Sequence, residues 1–188
     1  MATISCALDA ITSPAGCNRR GSIKTLYWTE YANVDWDAMA GNALMFNTTT
    51  QTILDYTMVG AGVFKKVEFE PKGSFYDNTY TKDAGVYTLL LTMLFSGKDV
   101  TRRNSLMEAL QCCTIVVHAY GYDGKQRIFG VDWDGEAFQV LPTPLTVTRH
   151  LDSSGQLGSS ESRDEVDLGG EAFYAPLFAT VAEADIPL

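Results

Sequence analysis

Apolar and polar positions alternate most clearly after residue 62. The stretch VFKKVEFEPKGSFY sets Val63, Val67 and Phe69 among charges, as a half-buried strand does. The break Asp83-Ala84-Gly85 precedes VYTLLLTMLF at 86–95. That run has the length of a strand and falls short of the ~20 residues that cross a bilayer. In CTIVVHAYGYDGKQRIFGVDWDGEAFQVLPTPLTVTRHL, β-branched residues fill 114–117, and Asp123-Gly124 and Asp134-Gly135 each separate apolar runs. Asp-Gly suits a type I′ hairpin turn, which needs positive φ at both central positions. The two pairs lie eleven residues apart, which predicts a meander of short antiparallel strands.

One segment changes period. In SGKDVTRRNSLMEALQC, Leu106, Met107, Ala109 and Leu110 recur at helical spacing, and Asp99 or Thr101 can cap the start. This predicts a helix over 100–112 lying on a sheet. Residues 21–31 are apolar at Ile23, Leu26, Trp28 and Tyr31, an imperfect strand pattern. Residues 34–62 read as a short helix, a long loop or a hairpin, and Thr48, Thr49 and Thr50 disfavour a helix there. Residues 4–18 read as a short strand or an extended arm. The Ser/Gly-rich, then acidic stretch 151–174 reads as a hairpin tip or flap before a last strand. The predicted fold is mainly β: one domain over 1–188, an antiparallel barrel or sandwich with one flanking helix. Its extensions are an N-terminal arm at 1–20, a long loop or hairpin at 32–62 and a C-terminal arm at 179–188.

Composition agrees with a globular domain: 188 residues, 46% hydrophobic and 20% charged. The net charge of −9 argues against specific phosphate-backbone binding, which needs clustered Lys and Arg. It is compatible with a surface that DNA slides past. The N-terminus has no basic start followed by an apolar block, so synthesis and retention in a cytoplasm are expected, with no membrane partner. Of the four cysteines, Cys112 and Cys113 are adjacent, which suits neither a CxxC knuckle nor a disulfide with each other. With Cys6 and Cys17 they read as free thiols in a reducing compartment, and no metal is expected.

The stretch GVDWDGEAF resembles part of a calcium loop. With Gly135 in sixth place, Asp134 and Asp132 fall fifth and third. The first and twelfth places are then Gly130 and Leu141, which offer no carboxylate, so a turn is expected. SGKDVTRR lacks the second glycine and the hydroxyl of a phosphate loop. His118 and His150 stand near no G-x-S-x-G or H-E-x-x-H motif and read as structural. The pair Asp164 and Glu165 reads as a solvated flap rather than a hydrolase dyad. No catalytic residue and no cofactor are expected. The aromatic residues Trp28, Tyr31, Trp36, Phe46 and Trp133 are candidates for subunit contact. For Trp28 and Trp36, core packing stands equally open. Trp133, inside the second Asp-Gly turn, is expected at a contact.

The order of segments carries a family resemblance. ISCALDAITSPAGCNRRGSIKTLYW is followed by FKKVEFEPKGSFYDNTYTKDAGVYTLLLTMLF and RRNSLMEALQ. IVVHAYGYDGKQRIFGVDWDG and SSGQLGSSESRDEVDLGGEAFYAPLF complete it. Together they resemble the tail tube (major tail) proteins of tailed phages, especially phages of Bacteroidetes hosts, over most of the chain and weakly in 32–60. A D-x-N-G unit usual near the end is replaced at 163–166, where a different turn is expected.

The resemblance implies a virion structural protein, assembled in the host bacterial cytoplasm. Its subunits would stack as rings, commonly hexamers, whose inner strands join into one barrel around a channel for DNA. Partners would be further copies, other tail or neck proteins, and DNA in transient passage. Six chains at −9 would give a ring of about −54, a charge that repels the DNA backbone. Residues 33–61 and both termini are expected to carry much of the contact between subunits. Head–tail connectors, tail terminators and baseplate rings share the expected fold. A monomeric ligand-binding barrel is the alternative from another class, and an enzyme a third.

Overall fold

The computed structural model describes residues 23–67, 70–96, 114–153 and 163–188. The expected helix at 100–112 and the N-terminal arm lie outside these residues, as does the tip of the expected flap. In chain order the elements are β1 (Ile23–Glu30), α1 (Trp36–Ala40), β2 (Phe46–Asn47), β3 (Thr52–Ile53), β4 (Lys65–Val67), β5 (Glu70–Thr81) and β6 (Val86–Ser96). There follow β7 (Ile115–Gly121), β8 (Gln126–Phe129), β9 (Val131–Trp133), β10 (Phe138–Val140), β11 (Thr143–Ser153), β12 (Arg163–Ala172) and β13 (Leu177–Ala179). The protein is mainly β, with one short helix among the described residues.

A seven-stranded sheet runs β2-β3-β13-β8-β7-β1-β4, and a four-stranded antiparallel sheet runs β11-β12-β6-β5. β9 and β10 form a separate ribbon. The only parallel pair among these is β13 with β3. Neither sheet closes on itself within the described residues, so the architecture is a sandwich rather than a barrel.

The seven-stranded sheet is covered on both faces. On one face Leu26, Val117, Ala119 and Phe129 pack against Leu91, Met93, Val166 and Leu168 of the four-stranded sheet. On the other, Tyr27, Val116 and Ile128 pack against Trp36, Met39, Phe46, Ile53, Tyr56 and Ile186. Residue 32 onwards, expected as a protruding loop, is therefore a second covering layer. Asp35 starts it by accepting a hydrogen bond from the Ala38 N–H at 3.0 Å, which caps α1. Double burial explains why β7 reads as an unbroken apolar run rather than an alternation. In β1 the same cause is joined by a register shift between Ile23 and Thr25.

Both Asp-Gly pairs turn hairpins, β7–β8 and β9–β10, but by a different mechanism from a type I′ turn. Only the glycines have positive φ, 77° at Gly124 and 106° at Gly135. The aspartates act through their side chains. Asp123 Oδ1 accepts the Lys125 N–H at 3.0 Å, and Asp134 Oδ1 accepts those of Glu136 and Ala137, each at 2.8 Å. These are Asx turns within longer loops. Residues 163–166, where a turn was expected, are the start of strand β12.

Gly130, between β8 and β9, has φ of 97°, and a Cβ there would lie 2.1 Å from the Ile115 carbonyl oxygen. Gly135 has a similar φ but open space around it. Gly130→Ala is therefore expected to cost at least about 2 kcal/mol more than Gly135→Ala, checked by urea unfolding.

Candidate functional site

The two sheets end differently. The outermost strands of the seven-stranded sheet are β2 and β4, of 2 and 3 residues. Those of the four-stranded sheet are β5 and β11, of 12 and 11 residues. Among the described residues each has one side unpaired. A long row of backbone donors and acceptors without partners is a template for another strand. Phe75 on β5 and Leu151 on β11 add apolar surface to these edges, being 40% and 42% exposed.

The two edge strands begin over opposite ends of the sheet beneath. β4 pairs Val67 with Leu26 and runs antiparallel to β1, so the chain enters β5 at the Ile23 end, where Ile23 faces Gly121. Val140 pairs with Val131, which brings the start of β11 back beside Gly130. Gly130 touches Ile115, at the other end of β7, opposite Glu30.

The face of the four-stranded sheet turned away from the core is acidic. Val166, Leu168 and Ala172 point inward, so Glu165, Asp167 and Glu171 point outward. Asp77, on β5, shares their side by register with Leu90. Arg149 bridges Glu165 at 2.6 Å and Asp167 at 3.2 Å, and Thr92 donates to Asp167 at 2.7 Å.

Four of the five aromatic contact candidates come together, but inside the chain. Trp36, Phe46 and Trp133 all pack on Phe138, with ring centroids 5.0, 4.7 and 4.9 Å away. Tyr31 stacks on Trp36 at 5.2 Å and donates to the Phe138 carbonyl at 3.3 Å. Trp133, expected on a loop tip, is 3% exposed, because its β9 position faces the layer formed by Phe46. Trp36, Phe46 and Trp133 thus have almost no surface to offer a neighbour. Of 33–61, expected at subunit contacts, Val34, Met39, Ile53 and Tyr56 are also buried in this core, whereas Leu44 and Val59 are 79% and 50% exposed. Much of the C-terminal segment is spent on this core too. Val181 and Ile186 are buried, Tyr27 donates to Glu183 at 2.6 Å, and the Phe64 N–H donates to the Pro187 carbonyl at 2.7 Å. Trp28 stands apart. It lies half-buried in a cleft of about 70 Å³ at the Glu30 end of β1, with Asn33, Val63, Lys65 and Ile115.

The calcium-loop stretch divides its carboxylates. Asp132 is buried and accepts the Phe173 N–H at 2.8 Å, which pins the crossover from β12 to β13. Desolvation raises its pKa. Asp134 is spent on its own turn. His118 is also fully buried. Tyr56 donates to its Nδ1 and its Nε2 donates to Gln126 Oε1, both at 3.0 Å, while Tyr120 stacks on the ring at 4.7 Å. Burial pulls its pKa down to about 4, so the ring is neutral and structural.

Comparison with protein-family models, curated proteins and solved structures gives no match for this chain.

Two outcomes are expected. Trp133→Ala should destabilise the isolated chain by about 3–5 kcal/mol in denaturant unfolding, the cost of emptying a large core site. Since His118 binds a proton more weakly folded than unfolded, stability should be full above pH 6.5. It should fall as pH drops towards 4, by up to about 3 kcal/mol. His118→Gln should remove that part of the pH slope.

Proposed function

We propose that the chain is a ring-forming structural subunit of a phage tail, of the tail tube kind, assembling through the four-stranded sheet. One observation carries this: among the described residues, a sheet of long strands has both outer edges unpaired while the sheet behind it has only stubs at its edges. The strand directions alternate from β5 to β11, so β11 of one copy meets β5 of the next in antiparallel sense. The contact joins unlike surfaces, and such contacts generate rings when the rotation closes. A hexamer would close a barrel of about 24 strands, four from each copy.

The acid-bearing face then lines the channel, where Asp77, Glu165 and Glu171 repel a DNA backbone in transit. Closure also removes the two edges that would otherwise pair without control. In this role the partners are further copies and other tail or neck proteins, and the protein resides in the virion tail. It needs no catalytic group, metal or cofactor.

The purified protein is expected to form rings or tubes with a central pore in negative-stain microscopy. Phe75→Lys and Leu151→Lys place charge on exposed edge positions, so both should stay folded by circular dichroism yet stay monomeric in light scattering. A wild-type chain that stays monomeric at high concentration would sink the proposal.

A further inference from the structure

The outward side chains of the two edge strands follow a matching order. On β5, Phe75 shares its side with Thr92, and Asp77 stands two residues further along on the same side. On β11, Leu151 lies opposite Glu165 and Arg149 opposite Asp167, so both stand on the acid-bearing side. Each edge therefore carries an apolar residue and a charged one two positions apart, and all four are exposed. Among the described residues, Arg149 reaches Glu165 and Asp167 through Nη1 alone. Its Nη2 and Nε can still donate to another carboxylate.

Antiparallel pairing of β11 with β5 of the next copy admits few registers. Outward residues must meet outward residues, so the registers differ by steps of two. One of them matches both pairs at once. With Leu151 opposite Phe75, Arg149 falls opposite Asp77, because the two strands count in opposite senses. A step either way sets Leu151 against Asp77 or Gly73 and parts the two charges. Pairing two β5 edges, or two β11 edges, also leaves Asp77 and Arg149 without each other. Resting on the ring reading above, we infer that Phe75 against Leu151 and Asp77 against Arg149 set the register between neighbouring copies, and with it the head-to-tail sense of the ring. Cross-strand apolar and opposite-charge pairs are what stabilise one sheet register over another, and a ring repeats both at every contact. One arginine among Asp77, Glu165 and Asp167 leaves the channel lining net negative.

The test is a cysteine ladder. Opposed residues of an antiparallel pair have Cα atoms about 4.5–5.5 Å apart, within reach of a disulfide. Phe75→Cys combined with Leu151→Cys, oxidised with diamide, should link chains into a ladder on a non-reducing gel, well above the wild-type background. Phe75→Cys combined with Ser153→Cys, one step out of register, should link at most about a tenth as much. Asp77→Lys keeps the apolar pair and should raise the protein concentration for half-assembly about tenfold in light scattering, with circular dichroism unchanged. Should the cysteine variants themselves not assemble, Asp77→Lys alone decides. If wild-type protein forms rings while the out-of-register pair links as well or better, or Asp77→Lys assembles as wild type does, the register is wrong and the ring reading stands. If rings form and neither cysteine pair links, the contact between β5 and β11 is wrong as well. If wild-type protein forms no rings, register and ring fall together.

Discussion

The structure depends on the burial of β1, β7 and β8 from both sides. Each of these strands sends alternate residues into two different cores, so their central positions are buried whichever way they point. Leu26 and Tyr27, or Val116 and Val117, are neighbours in sequence and lie in opposite layers. The consequence for chemistry is direct. A polar side chain placed there must find its partners within the fold, and His118 does so with Tyr56 and Gln126. An ionised group would lose its hydration without compensation, which is why the imidazole stays neutral.

Covering both faces of one sheet consumes the material that would otherwise have formed arms. The layer from α1 to Phe64 and the C-terminal segment close over Tyr27, Val116 and Ile128 as a lid made of short elements. Their hydrogen bonds run to the sheet and to each other, as in Tyr120 to the Val181 carbonyl and the Thr180 N–H to Ile53. The long hairpins of the four-stranded sheet are different in kind. They have one face in the core, one acid-bearing face and, among the described residues, two unpaired outer edges. Arg127 ties the β7–β8 turn to Tyr76 of β5.

Much of the four-stranded sheet was legible in the sequence. The run at 86–95 is β6, and the break at Asp83-Ala84-Gly85 is its hairpin turn, with φ of 67° at Gly85. The Asp-Gly pairs marked both bends of the meander, although the aspartate side chains rather than the backbone φ of a type I′ turn shape them. The candidate assembly surface was less legible. Which strands end a sheet depends on pairing order, and β12 sits between β11 and β6 through contacts far apart in the chain.

By itself the sequence determined where β6 runs, where the hairpins turn at 83–85, 123–124 and 134–135, and that the chain is acidic, because these follow from local alternation, turn residues and composition. It also marked the aromatic residues as energetically important. Only the tertiary structure decided which way that importance runs. Trp36, Phe46 and Trp133 meet around Phe138 because a two-residue strand, a short helix and a ribbon fold onto one face of the sheet. No periodicity records that meeting, since elements of two to five residues are too short to show a hydrophobic face. Burial of an aromatic ring depends on what lies across from it, and that partner is set by long-range packing rather than by its neighbours in the chain.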